Sequence, residues 1–156
     1  GVTVEIHNTD AEGRLALADA MDIALDRKPE IMIDVATLTG AGKVALGQDI
    51  ASLFSNNETL QAELRESGEK MGDLAWPMPL YSPYYKALSS DFADVSNSAS
   101  GHGGAITAAL FLEKFAGKTK WAHLDIFGWT SGNKPSLQQK GGSGQGVELL
   151  IGYFSK

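Results

Sequence analysis

Three charged residues near the start of the chain have the types and spacing for metal-assisted chemistry. Asp10, Glu12 and Arg14 occupy alternate positions in the segment NTDAEGRL, residues 8–15. On extended backbone, residues two positions apart point the same way, so both carboxylates would face one divalent cation, which relieves their mutual repulsion. The guanidinium of Arg14 can hold a small anion, or a developing negative charge, through paired hydrogen bonds.

The same carboxylates also have a purely structural interpretation. Asp10 and Glu12 precede a predicted helix, and acidic residues favour the positive end of the helix dipole at its N-terminus. Their spacing alone favours this interpretation over a metal site. Other segments of the chain must therefore decide between the two.

The elements around these residues form a βαβ unit. Val2, Val4 and Ile6 alternate with polar residues, which predicts a half-buried strand. Apolar residues at three- and four-residue steps predict a helix from about residue 12 to 28, and the almost fully apolar segment 30–36 predicts a buried strand. Ligand sites in open α/β sheets lie beyond the carboxyl ends of strands, where Asp10 and Glu12 fall.

The rest of the chain continues the alternation of helices and strands. Further helices are predicted from Asn56, as the cap, to about residue 71, and at 84–88, 105–116 and 147–154; apolar strands are predicted at 49–55 and 121–126; loops are predicted at 91–104 and 128–146. These patterns predict an α/β fold with a largely parallel sheet. A length of 156 residues suits one domain or a piece of a larger one.

Composition narrows the classes of function. Thirteen basic and nineteen acidic residues give a net charge of −6, which gives nucleic-acid binding no support. The chain has no cysteine, so a metal would need oxygen or imidazole ligands. No apolar run approaches the roughly 20 residues that cross a bilayer, and no signal-like leader is present. These features predict a cytoplasmic protein without a membrane partner.

Four segments resemble one enzyme family. NTDAEGRL (residues 8–15) matches, residue for residue, the signature of the leucyl (cytosol) aminopeptidase family, a family of two-metal peptidases. DVATLTGA (34–41) resembles its second signature segment, GAITAA (104–109) its helix start, and WAHLDI (121–126) its last core strand. The segments follow the family's order and rough spacing over nearly the whole chain. The resemblance favours the metal-site interpretation of Asp10 and Glu12.

This resemblance implies a fold and an activity. The fold would be three-layer α/β/α with a largely parallel mixed sheet. The activity would be metal-dependent hydrolysis of the N-terminal peptide bond of peptides, with two divalent ions, zinc or manganese. Asp10 and Glu12 would be metal ligands, Glu12 bridging both ions, and Arg14 would hold a bicarbonate that accepts a proton from the attacking water.

The resemblance also implies substrate contacts and an assembly. Backbone groups of Leu38 and Gly40 would line the substrate, and Thr37 would border the pocket for its first side chain. Phe127 stands where many family members have a small residue, which predicts a narrower pocket; core packing is an equal alternative. Family members form homo-hexamers, to which the 91–104 loop would contribute contacts.

Part of the family's site is not found in this sequence. A lysine and two aspartates that complete the ligand set, and a catalytic lysine, precede the signature in the family, whereas seven residues precede Asn8 here. We therefore expect residues 1–156 to be the C-terminal part of a single catalytic domain, without the family's N-terminal domain and first catalytic-domain strands. Such a fragment would be inactive alone.

Two other functions remain as alternatives. One is a non-catalytic assembly or regulatory module of the same fold. The other is a dinucleotide-binding module, since GAGKVA (residues 40–45) fits the pattern G-x-G-x-x-A after a strand; Gly47 and Asp49 would interrupt its helix, which disfavours this function.

Buried polar residues are expected to have hydrogen-bond partners. The three histidines are too scattered to form a metal motif, and His123, on a strand, is predicted to be a hydrogen-bonded core residue. Asp34 and Asp125 lie in or at the ends of buried strands, where an unpaired carboxylate would be costly. Of the two, Asp34 is predicted to be the better candidate for supporting the site.

Overall fold

The computed structural model describes residues 1–132 and 139–155. Its elements in chain order are β1 (Val4–Glu5), α1 (Gly13–Leu25), β2 (Ile31–Ala36), α2 (Ala41–Leu46), β3 (Ala51–Ser55), α3 (Glu58–Met71), β4 (Ala75–Pro77), β5 (Val95–Ser96), α4 (Gly104–Glu113), β6 (Lys120–Asp125), β7 (Trp129–Thr130), β8 (Gly141–Gly142) and α5 (Val147–Phe154). Two 3-10 turns, Thr9–Ala11 and Ser82–Leu88, add to these.

The main sheet is mixed and has the strand order β2–β6–β3–β4. β2 pairs with β6 in parallel, β3 pairs with β4 in parallel, and β6 joins the two halves by an antiparallel pairing with β3. The register places Ala36 opposite Asp125. The carboxyl ends of β2 and β6 therefore lie side by side, so the segments that follow them share one edge of the sheet.

Each face of the sheet is covered by helices. On one face, α1 and α4 pack against Met32, Phe54 and Trp121. On the other, α3 and α5 pack against Leu53 and Leu124, together with their neighbours on the strands. Strand side chains alternate between the two clusters, as the two-residue period of a strand requires. The described residues thus form three layers, α/β/α, which confirms the predicted fold class.

The cap of α3 differs by one residue from the prediction. Asn57, not Asn56, is the N-cap, and its side chain accepts a hydrogen bond from the Leu60 backbone amide at 2.9 Å. The Asn56 side chain instead bonds the start of β6, donating to the Thr119 carbonyl and accepting from the Trp121 amide. Two adjacent asparagines divide the capping and strand-joining contacts between them.

The predicted 128–146 loop contains a short hairpin, in which β7 pairs with β8 in antiparallel register. Residues 133–138 of that prediction lie outside the described residues. The 91–104 loop likewise contains β5, which pairs in parallel with β1. Within the described ranges, no helix has the length and apolar character that a membrane span requires.

Asp73 fixes the start of α5. Its carboxylate accepts hydrogen bonds from the Gly146 amide at 2.8 Å and from the Leu149 amide at 3.2 Å. These are amide groups that a helix leaves without internal partners at its N-terminus. A residue far back along the chain thereby joins the end of α3 to the final helix.

Candidate metal and peptide site

The NTDAEGRL segment forms a tight turn between β1 and α1. Thr9–Ala11 is a 3-10 turn, Glu12 has helical dihedrals (φ −73°, ψ −32°), and the Asn8 side chain accepts from the Asp10 amide at 2.9 Å. The expectation of extended backbone here is therefore wrong. The Asn8 side chain competes for the local backbone amide, as short polar side chains do in turns, and folds the segment.

The turn nevertheless brings both carboxylates to one place. Asp10 and Glu12 are exposed and line the same cavity, of about 250 Å³. Neither side chain forms a hydrogen bond or ion pair with any residue that the structure describes. Glu12 occupies the N-cap position of α1 without making a capping bond. The helix-terminus interpretation is thus limited to a charge–dipole effect without a capping bond, and two unpaired carboxylates also suit a divalent cation.

These two residues do not amount to a full metal centre. Across residues 1–132 and 139–155, no group of three or more histidine, aspartate or glutamate residues is arranged to hold a metal ion. A stable site for a divalent cation needs more ligands than Asp10 and Glu12 supply.

Arg14 points inward from the first turn of α1 and is only 9% exposed. Its Nη1 donates to the Asn97 carbonyl at 2.8 Å, and its guanidinium carbon lies 6.0 Å from the centre of the Phe111 ring. Burial lowers the pKa of Arg14, and the nearby negative charge of Asp125 opposes this effect. An arginine remains protonated under such conditions. The Arg14 guanidinium is thus a buried positive charge with few neutralising contacts among the described residues.

One donor of Arg14 is also unused. Its buried Nε has no hydrogen-bond partner among the described residues. Since a buried donor without a partner costs about 1–3 kcal/mol, its presence beside the cavity needs an explanation. A charged N–H group of this kind forms strong hydrogen bonds with anions.

The loop after β2 forms the opposite wall. Thr37, Leu38 and Gly40 line the same cavity as the two carboxylates and Arg14. The turn and the loop lie close together, since a Cβ placed on Gly13 would be 3.5 Å from the Leu38 side chain. The predicted site residues of both segments therefore lie around one cavity. Their roles stay predictions.

Asp125, at the end of β6, holds this loop. One carboxylate oxygen accepts from the amides of Leu38 and Thr39, each at 3.1 Å, and the other accepts from the Thr39 hydroxyl. This is the supporting carboxylate that the sequence interpretation assigned to Asp34, and that assignment is wrong. The parallel register that sets Ala36 beside Asp125 explains the contact, and sequence patterns do not give that register.

Asp34, on β2, belongs to a buried network with two side chains of the neighbouring strand β6. Its carboxylate accepts from Trp121 Nε1 at 2.7 Å and lies 2.5 Å from His123 Nδ1. The His123 ring is parallel to the Trp121 ring, with centroids 6.3 Å apart. The prediction that His123 is a hydrogen-bonded core residue, and that Asp34 and Asp125 both have partners, is confirmed.

Phe127 lies beyond the end of β6 and does not line the cavity described above. Its amide donates to the Gln145 side chain at 2.6 Å, and its ring lies 4.2 Å from the Lys43 ammonium nitrogen. The adjacent Gly128 amide donates to the Thr37 hydroxyl at 3.2 Å. Phe127 is thus tied to the loop after β2, and its effect on a pocket for the first side chain stays a prediction.

One glycine of GAGKVA, Gly42, has a packing role, whereas a Cβ on Gly40 would meet no neighbouring atom. α2 is only six residues long, and a Cβ on Gly42 would clash with the Ser52 hydroxyl oxygen of β3. The close approach of helix and strand therefore requires glycine at this position without reference to a phosphate group. Packing thus accounts for the second glycine of the dinucleotide pattern.

Comparison with known proteins identifies the family. The sequence profile described as cytosol aminopeptidase family, catalytic domain, matches residues 1–151. The chain belongs to the cytosol aminopeptidase family. Among relatives of this family member, the cytosol aminopeptidase of Buchnera aphidicola is 53% identical over 156 residues, covering 99% of the chain and 30% of the relative. A probable cytosol aminopeptidase of Rhodopseudomonas palustris is 51% identical over 152 residues, covering 96% and 30%.

Solved structures agree with this assignment. The crystal structure of cytosol aminopeptidase from Coxiella burnetii superposes with a TM-score of 0.92 at 42% identity, covering 99% of the chain and 34% of that protein. A mutant of tomato leucine aminopeptidase gives 0.90 at 43% identity, covering 98% and 30%. The family resemblance is confirmed, and the chain spans about a third of the length of these relatives.

Proposed function

We propose that this family member forms part of the catalytic unit of a longer, metal-dependent aminopeptidase that hydrolyses the N-terminal peptide bond of peptides. The observation that carries the proposal is the shared cavity. Two unpaired carboxylates, Asp10 and Glu12, a buried cation, Arg14, and the backbone of the 37–40 loop surround it. Metal-dependent peptide hydrolysis uses metal ligands, charge stabilisation and backbone groups along the substrate.

Asp10 and Glu12 would hold the metal ions as oxygen ligands. Two divalent cations, zinc or manganese, would polarise the peptide carbonyl and supply hydroxide near neutral pH. The remaining ligands and a catalytic lysine would come from the preceding segment of the longer polypeptide. The relatives are about three times as long as this chain, which supports this division of the site.

Arg14 would hold a bicarbonate that serves as proton acceptor for the attacking water. Its unused Nε and its burial support this role, because a guanidinium with few partners binds an anion through charge-assisted hydrogen bonds. The contact of Arg14 with the Asn97 carbonyl fixes the direction of the guanidinium. This chain would thus orient the anion instead of transferring the proton itself.

Leu38 and Gly40 would line the substrate through their backbone groups, and Thr37 would border the pocket for the first side chain. Phe127 would narrow that pocket. Its contacts with the Gln145 side chain and the Lys43 ammonium group support a fixed ring position. We therefore propose a preference for N-terminal residues smaller than leucine.

The longer protein would be a cytoplasmic homo-hexamer. The names of the relatives, cytosol aminopeptidases, support the location. The 91–104 loop would contribute to contacts between subunits. It carries Phe92, which is 90% exposed, and a large apolar side chain in open solvent suits burial at such a contact.

Activity on a chromogenic substrate tests the proposal. The longer polypeptide and the 156-residue chain are each assayed with Leu-p-nitroanilide and Ala-p-nitroanilide, in the presence of Mn²⁺ or Zn²⁺. We expect activity from the longer polypeptide alone, and a higher kcat/KM for the alanine substrate. A folded longer polypeptide without metal-dependent activity would contradict the enzyme assignment and favour the non-catalytic module.

A further inference from the structure

A single buried side chain holds both ends of the turn that carries Asp10 and Glu12. Asn97 follows β5 and has no solvent exposure. Its amide oxygen accepts from the backbone amides of His7 at 2.9 Å and Asn8 at 3.2 Å. Its amide nitrogen donates to the Asn8 carbonyl at 2.7 Å and, over a longer 3.5 Å, to the Ala11 carbonyl.

The main chain of the same residue makes two further contacts. Its amide donates to the Glu5 carbonyl at 2.9 Å, which extends the pairing of β1 and β5. Its carbonyl accepts from Arg14 Nη1 at 2.8 Å. Asn97 is therefore in direct contact with the turn that carries the two carboxylates and with the arginine beside them.

We propose that Asn97 is a positioning residue, which fixes the two candidate metal ligands and the candidate anion-binding arginine relative to one another. This inference rests on the proposed function of the site. The asparagine amide both donates and accepts in one plane from one short side chain, and aspartate at this position would keep the acceptor and lose the donor. The type of residue thus follows from the contacts.

The turn needs this support because its own contacts are few. Within it, the Asn8 side chain bonds the Asp10 amide, and the Ala11 amide bonds the Asn8 carbonyl at 3.2 Å. Asp10 and Glu12 carry like charges on one small segment, and their repulsion favours opening of the turn. A buried partner that holds both ends keeps the carboxylates in place before any cation arrives.

The substrate wall is held separately. Asp125 fixes the amides of Leu38 and Thr39 and has no hydrogen bond to Asn97. Loss of the Asn97 side chain should therefore weaken metal binding and kcat while leaving KM nearly unchanged. Substitutions of residues that orient metal ligands typically cost about 10–100-fold in metal affinity or activity.

The test compares Asn97→Ala and Asn97→Asp with a matched control in the longer, metal-dependent enzyme. Ser96→Ala is the control, because Ser96 is equally buried and adjacent, and its hydroxyl contacts the Ser98 carbonyl instead of the turn. The dissociation constant for Mn²⁺ is measured by calorimetry on metal-stripped protein, without any reaction. Values of kcat and KM for Leu-p-nitroanilide and circular dichroism spectra complete the comparison.

We expect both Asn97 variants to weaken Mn²⁺ binding and to lower kcat by about tenfold or more, while their KM stays within about twofold of the unsubstituted enzyme. For the Ser96→Ala control, we expect Mn²⁺ affinity, kcat and KM all to stay within about twofold. Unchanged Mn²⁺ affinity in both variants, an equal loss in Ser96→Ala, or an effect confined to KM would overturn the inference. Unfolding of both variants, with the control folded, would also overturn it. An unsubstituted enzyme that neither binds Mn²⁺ nor cleaves the substrate would instead refute the proposed function, and this inference with it.

Discussion

The substitution Asp125→Ala should loosen the wall of the cavity opposite the two carboxylates. Asp125 accepts three hydrogen bonds, from the Leu38 amide, the Thr39 amide and the Thr39 hydroxyl. Without the carboxylate, two backbone amides lose their partner, at about 1–3 kcal/mol each. For the two amides together this amounts to about 2–6 kcal/mol. Because the loop borders a cavity that admits water, we expect a loss of about 3 kcal/mol in the free energy of unfolding, near the lower end of the range for both amides.

Asp125→Asn is the matched comparison for Asp125→Ala. It keeps one oxygen for the two amides and removes the charge, so the bonds become ordinary neutral ones and the expected loss is about 1–2 kcal/mol. Urea denaturation followed by circular dichroism gives both values, with Asp22→Ala, on the exposed side of α1, as the control. The reasoning is refuted if Asp125→Ala lies within about 0.5 kcal/mol of the unsubstituted protein, or if the asparagine variant loses as much as the alanine variant.

Three further substitutions test other contacts. Gly42→Ala should destabilise the chain by about 1–3 kcal/mol, because its Cβ would meet the Ser52 hydroxyl, and the additional change Ser52→Ala should restore part of the loss in the same urea experiment; no restoration would contradict the packing explanation. Asp73→Ala removes the cap of α5 and should cost about 1–2 kcal/mol, seen as a lower melting temperature, and an unchanged melting temperature would show that the cap contributes nothing. Arg14→Lys in the longer enzyme should lower kcat by about tenfold or more while leaving the Mn²⁺ dissociation constant within about twofold, and the reverse pattern would contradict the anion-binding role.

The fold was largely predictable because its signals are periodic. Apolar steps of three and four residues placed α1 and α3 within a few residues of their observed bounds, and α5 at its observed bounds, Val147–Phe154. Continuous apolar runs placed β2 and β6 in the same way. Short elements such as β5 and the β7–β8 hairpin have two residues each and are too short for a period to develop.

The candidate site was predictable only where its residues are close in sequence. The NTDAEGRL and DVATLTGA segments identified Asp10, Arg14 and the loop with Leu38, and the structure places them around one cavity. The supporting residues Asp125 and Asn97 act across more than 80 positions, through strand register and a buried side chain. No local pattern encodes those contacts. The 3-10 turn at Thr9–Ala11 was not predicted, because the alternating charges indicated extended backbone. The hydrogen bond from the Asp10 amide to the Asn8 side chain stabilises a turn instead.

Metal stoichiometry tests the central claim most directly. The longer enzyme is stripped of metal, and Mn²⁺ binding is measured by calorimetry for the unsubstituted protein, for Asp10→Asn with Glu12→Gln, and for a control pair, Asp19→Asn with Asp22→Asn, on the exposed side of α1. We predict two bound ions for the unsubstituted protein and for the control, and loss of at least one ion in the Asp10 and Glu12 double variant. Equal stoichiometry and affinity in all three proteins would contradict the assignment of these two carboxylates as metal ligands.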